Sequence, residues 1–154
     1  MWIFGKGCTS KVSPNFRVSE FACKHCGLCH LEPSLVCGLE LLREQAGDKV
    51  ILTSGYRCPQ HPIEGGNTTG QHTKGCAADI YVPGLDLKKL LYIATNVWMF
   101  EQGGIGFYPD LNIVHVDCRQ GRARWGQIGE DYVSLENALQ YWIEKQPSSN
   151  GQSA

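Results

Sequence analysis

No stretch of the sequence approaches the ~20 consecutive apolar residues of a membrane-spanning helix, which excludes an integral helical membrane protein. An excess of either charge is also lacking: 14 Lys and Arg stand against 15 Asp and Glu, for a net charge of −1. A nucleic-acid binder normally carries a basic surplus, so that class is excluded as well. The opening residues, Met1-Trp2-Ile3-Phe4-Gly5-Lys6, have neither the charged start nor the long apolar stretch of a secretion signal. The expectation is a signal already removed or export by another route. There are no internal repeats. With 42% hydrophobic and 19% charged residues over 154 positions, the chain has enough apolar material for one globular domain, expected over residues 1–146 with a polar tail at 147–154.

What is present in quantity is cysteine: positions 8, 23, 26, 29, 37, 58, 76 and 118. Eight cysteines allow about 105 pairings, so connectivity cannot be read from spacing. Cys23, Cys26 and Cys29, with His25 and His30 among them, read either as a disulfide staple on a loop or as part of a second metal site. A zinc ribbon would need a second Cys-x-x-Cys pair, which the chain does not have, so Cys37 or Cys58 would supply a fourth ligand.

Local signals give the element order. Pro33 opens a helix with Leu35, Val36, Leu39 and Leu42 inward, and Gly47 stops it. Lys49 to Thr53 is a strand with Val50, Ile51 and Leu52 as a short buried run, and residues 59–70 form a Gly- and Pro-bearing loop. Cys76 to Val82 is a strand that puts Ala77, Asp79 and Tyr81 on one face and Ala78, Ile80 and Val82 on the other. Asp86 caps a helix to about Phe100, with Leu87, Leu90, Leu91, Ala94, Val97 and Trp98 as its buried stripe. A hairpin turns at Pro109-Asp110, with His115 and Asp117 on one face of its second strand. Arg119 to Trp125 is a basic turn, either solvated surface or the rim of a cleft. Ser134 caps a last helix.

The chemistry lies in three segments: Ser54-Gly55-Tyr56-Arg57, His72-Thr73-Lys74-Gly75-Cys76-Ala77-Ala78-Asp79, and His115-Val116-Asp117. His72, Asp79 and His115 offer two imidazoles and a carboxylate, which leaves one position open on a tetrahedral zinc, as in catalytic sites. A charged Asp79 flanked by Ala-Ala and Ile-Tyr must be paired or bind metal. In order and spacing these segments resemble the zinc D-alanyl-D-alanine carboxypeptidases and related peptidoglycan peptidases, a group that includes phage endolysins and a murein endopeptidase and shares its fold with the hedgehog signalling domain. The resemblance spans roughly residues 15 to 125.

The resemblance implies an α+β fold, a small antiparallel sheet with packed helices. It implies a zinc-dependent peptidase cleaving peptidoglycan stem peptides or cross-links with a metal-activated water, acting in the periplasm or outside the cell and fitting a phage-encoded enzyme. A monomer is expected. Arg57 would face the substrate or the developing oxyanion, with Gln71 and Tyr56 as substrate contacts. A Cys23–Cys58 bridge is also implied. Where several relatives place an acid three positions before the last zinc histidine, this chain has Asn112. The general base is then Asp117 or Asp110, or Asp117 instead orients a ligand imidazole. The alternative reading is a non-catalytic zinc module of the same fold, serving in interaction or in a virion.

Overall fold

The computed structural model describes residues 1–148, so the expected tail lies outside the described residues from 149 onward. Two sheets form. Strand β1 (Trp2–Phe4) pairs antiparallel with β2 (Cys29–Leu31), and helix α1 (Val18–Phe21) lies between them in sequence. Helix α2 (Pro33–Ala46) starts with proline in its first turn and ends at Gly47, whose φ of 70° is the left-handed C-cap expected there. Leu35, Leu39 and Leu42 are buried along it, as their spacing predicts.

The main sheet contains β3 (Ile51–Ser54), β4 (Ala77–Tyr81), β5 (Gly104–Tyr108), β6 (Ile113–Asp117), β7 (Ala123–Ile128) and β8 (Asp131–Val133), in the order β3-β4-β6-β5-β7-β8. All pairings are antiparallel except β5 with β7. A 3-10 turn (Pro109–Leu111) joins β5 to β6, and Asn112 follows it with a left-handed φ of 54°. Helix α3 (Leu87–Thr95), the short α4 (Trp98–Glu101) and α5 (Leu135–Lys145) complete the order. The side chains of Asp86 and Ser134 accept the N–H groups of Lys89 and Asn137, each cap contributing about 1 kcal/mol.

One sheet face carries Ala78, Ile80, Val114, Val116, Ile105 and Phe107 into the core against the helices. The expected helix from Asp86 to Phe100 is broken. It stops at Thr95, Val97 turns extended, and the chain restarts at Trp98. The break lets both Val97 and Phe100 reach the core, where Phe100 packs over Gly38 of α2, and it throws Trp98 outward to 71% exposure. Trp98 is therefore not part of a buried stripe. The 119–125 stretch read as a turn contains the first half of β7, which the sequence hides because its partner β5 is parallel and distant.

Candidate metal centre and cleft

Residues directly opposite across adjacent strands share a face of the sheet. Register sets Asp79 of β4 opposite His115 of β6, His115 opposite Gly106 of β5, and Gly106 opposite Trp125 of β7. One lateral row thus reads Asp79, His115, Gly106, Trp125 on the face away from the core. Glycine is required in that row: a Cβ on Gly106 would stand 2.7 Å from the Trp125 ring. In the next row Ala77 faces Asp117 and Asp117 faces Gly104, whose missing side chain leaves room for the Asp117 carboxylate. His72 comes from the turn before β4.

The potential ligand atoms of His72, Asp79 and His115 all lie within 4.8 Å of one another, and all three residues are buried. His72 Nδ1 donates to the Gly55 carbonyl at 2.7 Å, which fixes the tautomer and turns Nε2 toward Asp79 Oδ1, 3.4 Å away. His115 Nδ1 is 2.9 Å from the same oxygen, while its Nε2 donates to Asp117 Oδ2 at 2.8 Å. Ligands of a tetrahedral zinc at ~2.0–2.1 Å stand about 3.3 Å apart, so two imidazole nitrogens and a carboxylate oxygen at these separations fit such an ion.

Asp117 is wholly buried and held from several sides. Arg119 Nε and Nη2 clasp it at 2.8 and 2.6 Å, and the Gly104 N–H donates at 2.9 Å. Burial works to raise the Asp117 pKa, but the Arg119 fork and His115 outweigh it and hold the carboxyl below its usual range. Asp79 behaves likewise, burial being outweighed by bonds from His115 and His72. Burial opposes charge on His115, yet its bonds to Asp117 and Asp79 raise its pKa above the ordinary value.

A cleft of about 540 Å³ opens over the three residues, walled by Arg57, Gln71, Tyr108, Arg119, Trp125 and Tyr132, among others. Arg57 also donates to Asp79 Oδ2 at 3.1 Å, Ser54 Oγ at 2.9 Å and Glu64 Oε1 at 3.3 Å. Of the basic turn, Arg119 and Trp125 reach the cleft, with the guanidinium 5.0 Å from the ring centroid. Arg124 instead donates to the carbonyls of Glu101 and Gly103. Trp125 Nε1 donates to the Tyr108 hydroxyl at 2.7 Å. Burial pushes the Tyr108 hydroxyl up to about 12. Sequence reasoning missed Glu64, Tyr108 and Tyr132. Gln127 was missed as well, although its place two residues from Trp125 puts both on one face of β7 and in the cleft wall.

Several expected residues fall elsewhere. Tyr56 is not a cleft residue: it is buried against Cys23 and Cys58, its ring stacked on His30 at 4.6 Å between centroids. Asp110 accepts from the Gly129 N–H and the Tyr141 hydroxyl and lines, with Asn112, a separate cavity. Asp117 reaches His115 but does not line the cleft. Cys23, Cys26 and Cys58 come together, but Cys29 does not, because β2 carries it into the main core. The expected Cys23–Cys58 bridge is absent: all eight cysteines are free thiols, and the Cys58 N–H donates to Cys23 Sγ at 3.3 Å.

Two imidazoles and a carboxylate gathered under a polar cleft form a donor set suited to a metal ion. The Peptidase M15 family model matches residues 14–117, and the chain belongs to that family. Over 100 residues, 60% of this chain, it is 32% identical to the peptidoglycan L,D-endopeptidase MepK of Escherichia coli strain K12, and equally to the MepK proteins of Escherichia coli O157:H7 and Shigella flexneri. The match covers 53% of each relative, so the chain spans about half the length of the curated relatives it matches. No solved structure matches it.

Proposed function

We propose that the protein is a zinc-dependent peptidase that hydrolyses peptide bonds of bacterial peptidoglycan and so acts on the cell wall. The observation that carries this reading is the convergence of His72, Asp79 and His115 on one point at the floor of a cleft. Zinc held there supplies Lewis acidity, polarising a carbonyl and acidifying a water. The chain's own residues do the rest. Asp117 fixes the His115 ring through Nε2, so that Nδ1 faces the ion. Gly55 does the same for His72. Arg57 and Arg119 present guanidinium groups to the cleft, suited to a stem-peptide carboxylate or to negative charge developing on a scissile carbonyl. Gln71 adds a polar contact; its Oε1 already accepts from Cys76 Sγ. The L,D-endopeptidase activity of the MepK relatives favours an endopeptidase over a carboxypeptidase.

A non-catalytic metal-binding module is the second reading. It is favoured by one observation: among the described residues, Asp79, itself a proposed ligand, is the sole carboxylate lining the cleft. Turnover decides between them. Purified protein incubated with peptidoglycan should release peptide fragments detectable by mass spectrometry, and a chelator should stop their release. His72→Ala and His115→Ala should each lose the zinc of the cleft, one ion fewer per chain than the parent, together with activity. Full zinc occupancy in both variants, or no fragments from any of several wall types, would rule out the hydrolase.

A further inference from the structure

Away from the cleft, a second set of metal-type donors converges. The sulfurs of Cys23, Cys26 and Cys58 lie within 4.8 Å of one another, and Cys23 and Cys58 are buried. A matching local device builds each half. In Cys23-Lys24-His25-Cys26-Gly27-Leu28, the Gly27 N–H donates to the Cys23 carbonyl at 2.7 Å and the Cys23 N–H to the Leu28 carbonyl at 2.8 Å. Gly27 takes a φ of 78°, a conformation glycine adopts without strain. The Cys58 N–H donates to Cys23 Sγ at 3.3 Å. In Cys58-Pro59-Gln60-His61, the His61 N–H donates to the Cys58 carbonyl at 2.9 Å. Backbone donors aimed at sulfur favour the negative charge that a metal-bound thiolate carries.

A disulfide would use two of these sulfurs and leave the third without a partner. A cation uses all three. The missing second Cys-x-x-Cys pair is supplied by Cys58-x-x-His61, the Cys₃His set of structural zinc sites. We infer that Cys23, Cys26 and Cys58, with His61 as fourth ligand, hold a structural zinc separate from the cleft. His61 Nδ1 accepts the Ile63 N–H at 3.2 Å, which leaves Nε2 for the ion. The imidazole lies outside the 4.8 Å group, so its side chain moves to close the site once the cation is present. Cys58 directly follows Arg57, and Glu64 lies in the same loop, so this zinc would anchor the loop that aims Arg57 at Asp79. The inference does not depend on the peptidase reading.

The full chain carrying both His72→Ala and His115→Ala, purified with zinc and without added oxidant, tests it. Element analysis should still find one zinc per chain. Replacement by cobalt(II) should give a thiolate-to-cobalt charge-transfer band in the near ultraviolet, which the cleft ligands cannot produce. His61→Ala in this background should lose tight cobalt binding, and His61→Cys should restore it with a stronger band. A Cys26→Ser variant, if it folds, should lose the band. Absence of the band in the parent double variant, or an intact mass two hydrogens short through a bridge among these cysteines, would overturn the site. Unchanged cobalt affinity in His61→Ala would overturn the ligand set.

Discussion

Asp117 never touches the cleft, yet the proposed chemistry depends on it through His115. Its two oxygens serve the His115 ring, the Arg119 fork and the Gly104 N–H together. An amide cannot accept on both sides. Asp117→Asn should therefore leave a folded chain that binds zinc when zinc is saturating, with turnover down about 10–100-fold; kcat measured at saturating zinc checks this. A different single residue sets a pH dependence remote from the metal. Glu40 accepts from the Asn15 side chain at 2.7 Å and its backbone N–H at 2.9 Å. Burial works to raise the Glu40 pKa, but the bonds from Asn15 outweigh it and lower it. A lowered folded-state value means that the stabilisation is complete above the unfolded value and is lost as pH falls through the folded one. Glu40→Gln should cost about 0.5–1 kcal/mol at neutral pH, allowing for solvent screening, and the gap from the parent should close below the usual glutamate range. Thermal melts of the two proteins across that range give the answer.

At the level of strands and helices, the site depends on one register. Asp79, His115, Gly106 and Trp125 line up because four strands agree on which residues face each other. Gly106→Ala should push the Trp125 ring off His115, raising KM for peptide substrates more than it lowers kcat, since the ligands themselves stay put. Steady-state kinetics would show that split. Much of this was readable beforehand. Pro33 and Gly47 bracketed one helix and Ser134 opened another. Alternation along β4 and β6 put Asp79, His115 and Asp117 on faces opposite to Ile80 and Val114, because a half-buried strand must sort its side chains that way. The unread parts depend on distant contacts. The break at Asn96 depends on what Phe100 meets across the core, and β7 on a parallel partner some twenty positions back. Cys29 and Tyr56 were grouped with their chain neighbours, but their environment is set by β2 and by the packing of Tyr56 on His30.

For the whole molecule, one side of the cleft lies outside the span that the family match covers. The residues proposed to hold zinc all fall inside the matched span of 14–117, together with Arg57 and Asp117. Arg119, Trp125, Gln127 and Tyr132, which close one side of the cleft, lie beyond it. They are carried by β7, a loop and β8, appended at the edge of the sheet by the parallel pairing with β5. Exchanging residues 119–134 for the corresponding segment of another family member should change which wall peptides are cut, while zinc affinity, measured by competition with a chelating dye, stays the same except where Arg119 is replaced. Among the described residues no helix is long and apolar enough to cross a membrane. The parallel strand therefore makes one wall of the cleft a cassette at the sheet margin, exchangeable without disturbing the strands that carry the proposed ligands beneath it.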